Sequence, residues 1–109
     1  MVKREQSEPL LVHIDPALAE IVPTYLENRH KDLALLADLL RKAEFESLRV
    51  LGHRMKGSGG GYGFADISAI GWRMEQAATH ADATEMTACI AELKSYLDRV
   101  EVVYTETTL

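Results

Sequence analysis

Proline and glycine are segregated in this chain, and no other feature of the sequence narrows its fold so far. All three prolines, Pro9, Pro16 and Pro23, lie in the first 23 residues, so the stretch from Thr24 to Leu109 contains none. Six of the seven glycines fall between Gly52 and Gly63. An all-β fold needs turn residues roughly every 8 to 12 positions, which this distribution does not supply. A chain of 109 residues is one domain's worth, enough for a single core. Its 47% apolar and 27% charged residues are those of a globular protein.

The net charge of −5 argues against a nucleic-acid groove, which needs clustered Lys and Arg. The acidity is uneven, however. Ser47 to Ala65 contains no Asp or Glu but does contain Arg49, Arg54 and Lys56. Cys89 is the single cysteine, which excludes an intrachain disulfide and a multi-cysteine metal site. The N-terminus has no apolar run of signal-peptide length, and no segment approaches a membrane span. The expectation is a cytoplasmic protein without a membrane partner.

Residues 1–13 are polar and unpatterned, and read as a flexible N-terminal arm. Asp15 before Pro16 signals a short helix running to about Val22, because the carboxylate can cap free N–H groups and proline suits the first helical position. From Thr24 to Ala43, Leu26, Leu33, Leu36 and Leu40 recur at helical spacing, with Tyr25, Leu35 and Leu39 widening the stripe. After a connection at Glu44–Ser47, a second long helix carries Leu48, Leu51, Gly52, Met55 and Gly59 on its apolar side, and Gly63 suits its C-terminal cap. A third begins near Asp66 with Ile67, Ile70, Gly71, Met74, Ala77 and Ala78. A fourth runs from Thr84 to about Val103 with Met86, Ile90, Leu93, Leu97 and Val100. The pattern predicts an all-α, up-and-down four-helix bundle over residues 14–104 with a short extra N-terminal helix and a frayed tail at 105–109.

His53 is the candidate reactive group. At about 100° per residue, Leu51 and Met55 both lie roughly 160° from it, so the ring is expected to face solvent. Arg49, Gly57 and Gly60 fall within about 40° of it and Lys56 about 60° away. An exposed imidazole is largely neutral at ordinary cellular pH and is a competent nitrogen nucleophile. Lys56, one turn on, can screen the charge of an incoming phosphoryl group. Gly57 lacks a Cβ and leaves clearance for another protein to approach the ring. Arg49 and Arg54 are candidates for docking an acidic surface. Trp72 lies about 160° from Ile70 and is expected to be partly exposed at a bundle edge, while Cys89 reads as a small buried hydrophobe. His13, His30 and His80 have no metal-ligand spacing. Gly52–Ser58 misses the Walker pattern, since lysine precedes the second glycine.

The run Leu51-Gly52-His53-Arg54-Met55-Lys56-Gly57-Ser58, followed by Gly60, Tyr62, Gly63 and Phe64, resembles the signature of the histidine-containing phosphotransfer (HPt) domain. That pattern is a histidine, a lysine three residues on, a glycine directly after it and a glycine ten past the histidine. His53, Lys56, Gly57 and Gly63 fill every position. The resemblance implies a phosphorelay intermediate of two-component signalling. His53 would accept a phosphoryl group from the phospho-aspartate of a response-regulator receiver domain and pass it to another. Its partners would be such receivers and a hybrid histidine kinase. It implies a carrier and not an enzyme, with no cofactor or metal of its own because Mg²⁺ and most catalytic groups belong to the receiver. Gly57 and Gly60, with Arg49 and Arg54, would meet the partner. The alternative is an HPt-like docking module that binds a receiver or kinase without carrying phosphate. A stand-alone shuttle and a fragment of a hybrid kinase both fit the sequence.

Overall fold

The computed structural model describes residues 8–106. The elements in chain order are strand β1 (Leu10–Ile14), a 3-10 turn (Pro16–Leu18), α1 (Val22–Arg41), α2 (Phe45–Gly61), α3 (Ala65–Thr79), α4 (Ala83–Arg99) and strand β2 (Val100–Tyr104). Four helices carry the apolar stripes foreseen for them. Leu36, Leu48, Ile67, Met74, Met86 and Leu93 are wholly buried at the centre.

Three helices end in the same way. After α1, α2 and α3 the chain turns through a left-handed residue, Ala43 (φ 56°), Gly63 (φ 93°) and Ala81 (φ 51°). In each case the next N–H reaches back to the last helical turn: Glu44 to the Leu39 carbonyl at 2.9 Å, Phe64 to Gly59 at 2.7 Å, and Asp82 to Ala77 at 2.8 Å. This closure satisfies carbonyls that a helix end leaves open. Asp82 then caps α4, its carboxylate accepting from the Glu85 N–H at 3.0 Å.

Several expectations need correction. The helix foreseen from Pro16 to Val22 is only the 3-10 turn Pro16–Leu18. Asp15 does cap it, accepting from the Ala17 N–H at 2.9 Å. Pro23 opens the next helix, α1, one of the two roles its position allows. It occupies the first turn, where a missing N–H costs nothing, so the helix starts at Val22. Part of the supposed loose arm is a strand, β1, whose residues alternate between covered and exposed and end on the buried Ile14. The fourth helix stops at Arg99 instead of Val103. The β-branched Val100, Val102 and Val103 continue as β2, parallel to β1 with Leu10 opposite Val100 and Ile14 opposite Tyr104. Thr105, assigned to the frayed tail, donates its N–H to the Ile14 carbonyl at 3.0 Å. Residues 1–7 and 107–109 of the arm and tail lie outside the described residues. Leu35 is 45% exposed and does not widen the α1 stripe.

Among the described helices, α2 and α3 make the most extensive contact, backbone against backbone. A Cβ on Gly52 would lie 2.7 Å from the Glu75 backbone nitrogen, and one on Gly59 would lie 2.5 Å from that of Ser68. A Cβ on Gly71 would collide with the backbone nitrogen of Lys56. Backbones can pack this tightly only where side chains are absent. The two helices run antiparallel, since rising positions on α2 meet falling positions on α3. The Ser68 hydroxyl clasps them, donating to the Lys56 carbonyl at 2.6 Å and accepting from the Gly60 N–H at 2.7 Å.

Candidate functional site

His53 projects from the middle of α2 with 62% of its side chain exposed, as the helical arithmetic predicts. Its ring is not free on both sides. Nδ1 lies 3.0 Å from Glu75 Oε2 on α3, and the other carboxylate oxygen, Oε1, lies 2.9 Å from Lys56 Nζ. One acidic group therefore bridges the histidine and the lysine. Glu75 is only 14% exposed. Its Oε1 is sealed from solvent and meets no hydrogen bond of good geometry, only the charge of the ammonium.

The electrostatics follow from this arrangement. The Lys56 ammonium, and secondarily the hydrogen bond to the His53 ring, hold the Glu75 carboxyl below its usual range, against partial desolvation that acts the other way. Glu75 is thus an anion, and an anion can only accept a hydrogen bond. Of the two nitrogens of a neutral ring, Nδ1 must then carry the proton, which leaves the lone pair on Nε2.

Among the other predicted positions, Lys56 is 38% exposed and sits between Glu75 and solvent. A Cβ on Gly57 would meet nothing within 4 Å, so the face beyond the ring is open. Gly60 is exposed, and its N–H is held by Ser68. Arg49 is engaged within its own helix, donating from Nε at 3.0 Å and from a terminal nitrogen at 2.7 Å to Glu46, whose carboxyl it holds below the usual range. Arg54 lies on the other flank of α2, lining a recess with Arg29, Asp32 and Ser58. The structure therefore brings His53, Lys56, Gly57 and Gly60 together and sets Arg54 apart from them. Tyr62 stacks on Tyr25 with ring centroids 4.3 Å apart, Phe64 is buried, and Ser58 shares a hydrogen bond of 2.8 Å with the Tyr25 hydroxyl. Cys89 is buried, and desolvation pushes its thiol up to about 11.

Sequence reasoning missed Glu75, which lies 22 residues from His53. The signal was present in Gly52 and Gly71, each inside the apolar stripe of one of two successive helices. Such a pair marks a close crossing, and Glu75, one turn after Gly71, then falls beside His53. Among the described residues no group of three or more His, Cys, Asp or Glu could hold a metal ion, and no helix is long and apolar enough to cross a membrane.

No match to the chain was found among curated proteins or solved structures. The family model of the Hpt domain does match, over residues 20–102. That span takes in all of α1 to α4 together with His53, Lys56 and Glu75, and leaves β1 outside. The four-helix architecture, the exposed histidine on its second helix and this match together establish that the chain belongs to the Hpt domain family.

Proposed function

We propose that the protein carries a phosphoryl group on His53 between receiver domains of a two-component pathway, as a cytoplasmic relay intermediate. The observation that carries this reading is the Glu75 bridge, because it does to the ring what a nucleophile requires. With its proton kept on Nδ1, the imidazole presents the Nε2 lone pair outward. Nε2 attacks the phosphorus of an aspartyl phosphate, forming the N–P bond as the P–O bond breaks and the electron pair returns to the aspartate carboxylate. No proton has to leave Nε2. The positive charge that develops on the ring is met at Nδ1–H by the Glu75 anion. Lys56, held at the rim by the same carboxylate, faces the incoming phosphoryl oxygens. The onward step is the reverse reaction with a second receiver. Magnesium and the phospho-acceptor aspartates belong to the receivers, so the bundle's role is that of a carrier and not an enzyme. Gly57 and Gly60 allow the partner to approach, while Arg49 and Arg54 lie at the margin of that approach.

The test is to mix the protein with phosphorylated receivers and look for an acid-labile, base-stable phosphoryl adduct. Wild type is expected to label and His53→Gln not to. Equal labelling of the two, or no labelling by any receiver of the source organism, would sink the reading. A protein that binds receivers but never labels would be the docking module instead.

A further inference from the structure

Trp72 is the chain's single tryptophan, and 52% of it is exposed. Isolated apolar side chains on a surface are ordinary, so the argument rests on where this one sits. The residue before it, Gly71, packs directly on the backbone of Lys56 and Gly52. Because the helices are antiparallel, Trp72 therefore stands at the height of Met55, about 3 Å along the axis from His53. Around α3 it falls within about 60° of both Ser68 and Glu75. Those two side chains reach the His53 side of α2, at Gly60 and at His53 itself. The tryptophan thus points outward from the ridge of α3, one helix away from the histidine, with the recess bordered by Gln76, His80 and Glu85 on its far side. The interaxial distance between packed helices is roughly 8 to 10 Å, at the short end where small residues make the contact.

An interface of standard size covers about 800 Å² per partner, a patch roughly 30 Å across. A protein that brings a phospho-aspartate to Nε2 and spreads that far over α3 reaches Trp72 as well. The strip between the two is suited to being covered. Lys56 and Glu75 neutralise one another across it, Ser68 clasps the two helices beneath it, and Gly57 and Gly61 leave open space beside it. The other large exposed apolar residues lie on α1, on the strand pair or just before α1, not on this face.

We propose that Trp72 anchors the docking of the receiver partner, inserting into an apolar pocket on the rim of that partner's acidic phosphorylation site. The proposal rests on the phosphotransfer reading above and adds the contact that gives the encounter its affinity. Tryptophans in such positions carry a disproportionate share of binding energy.

The experiment uses tryptophan-free receiver domains of the source organism, charged with acetyl phosphate. Trp72 fluorescence then reports its own burial, and transfer to His53 is followed at increasing receiver concentration. Titration is expected to shift the emission to the blue. Trp72→Ala should raise the receiver concentration for half-maximal rate by about 10-fold or more, with the saturated rate and the helical circular dichroism unchanged. Trp72→Phe should recover part of the loss, and Leu35→Ala, a truncation of another exposed apolar residue on α1, should match wild type. Emission that does not move at saturating receiver, or Trp72→Ala within twofold of wild type, overturns the proposal while leaving phosphotransfer intact. So does a loss confined to the saturated rate, which would mean that Trp72 acts through Glu75. Emission shifts without any transfer to His53 would keep the anchor and remove the relay.

Discussion

At the scale of single residues, the distinctive feature is that one carboxylate serves an ammonium and an imidazole at once. Removing it should change the ring before it changes the fold. In Glu75→Ala, ¹⁵N spectra of His53 should show a mixture of tautomers in place of a proton held on Nδ1. Transfer should slow roughly 10-fold, the size typical of losing a carboxylate that orients a histidine. An unaltered tautomer would refute the bridge. Lys56→Ala should slow transfer by roughly 10- to 100-fold, since a hydrogen bond to a charged group is worth about 1.5 to 3 kcal/mol, and should leave the helical signal intact. The same variant has a pH signature. A carboxyl held below its ordinary value in the folded state stabilises that state above the ordinary value, and the contribution fades only as pH falls through the depressed one. For Glu75, whose depression comes first from Lys56, ¹³C titration in Lys56→Ala should move the midpoint upward. The bridge to His53 would then open at higher pH than in wild type. A midpoint that stays put would show that Lys56 is not the cause.

At the scale of elements, glycines that look alike in the sequence do opposite work. Gly52, Gly59 and Gly71 are pressed against backbone, whereas Gly57 faces open space. Gly71→Ala must force α2 and α3 apart, and overpacking of this kind costs about 1 to 3 kcal/mol. It should also lengthen the reach from Glu75 to His53, so urea midpoint and transfer rate should fall together. Gly57→Ala should do the reverse to stability, adding up to about 1 kcal/mol through helix propensity while impeding the approach of a receiver. A Gly57→Ala protein that is both more stable and fully active would remove the clearance role. The helix ends make a separate prediction. Ala81 holds a left-handed conformation that costs a residue with a Cβ about 1 to 2 kcal/mol, and it is exposed. Ala81→Gly should therefore raise the thermal midpoint.

At the scale of the whole molecule, the two strands tie together the two ends of the described chain. β1 and β2 are about 90 positions apart in sequence yet pair residue for residue, and Ile14 is carried into the core beside the cap at Gly63. Two strands are seldom stable alone, so the pair persists because the bundle beneath it is already formed. Ile14→Ala should cost about 2 to 4 kcal/mol in urea unfolding and leave the His53–Glu75 contact, at the middle of α2, unchanged in ¹⁵N spectra. The local facts were legible in the chain: helical stripes from Leu26 to Leu97, the capping turn at Gly63, the outward direction of His53, and the Lys56 and Gly57 that follow it. Each depends on residues within a turn or two of one another, where 3.6-residue geometry suffices. The β pair was not legible, because parallel pairing joins segments whose alternation is short and whose partner is distant. Nor was the Glu75 bridge. Periodicity says which face a side chain occupies on its own helix, but only the close crossing at Gly52 and Gly71 decides which neighbour that face meets. The sequence alone thus placed an imidazole on a surface, and tertiary packing decided which of its nitrogens meets a carboxylate and which faces outward.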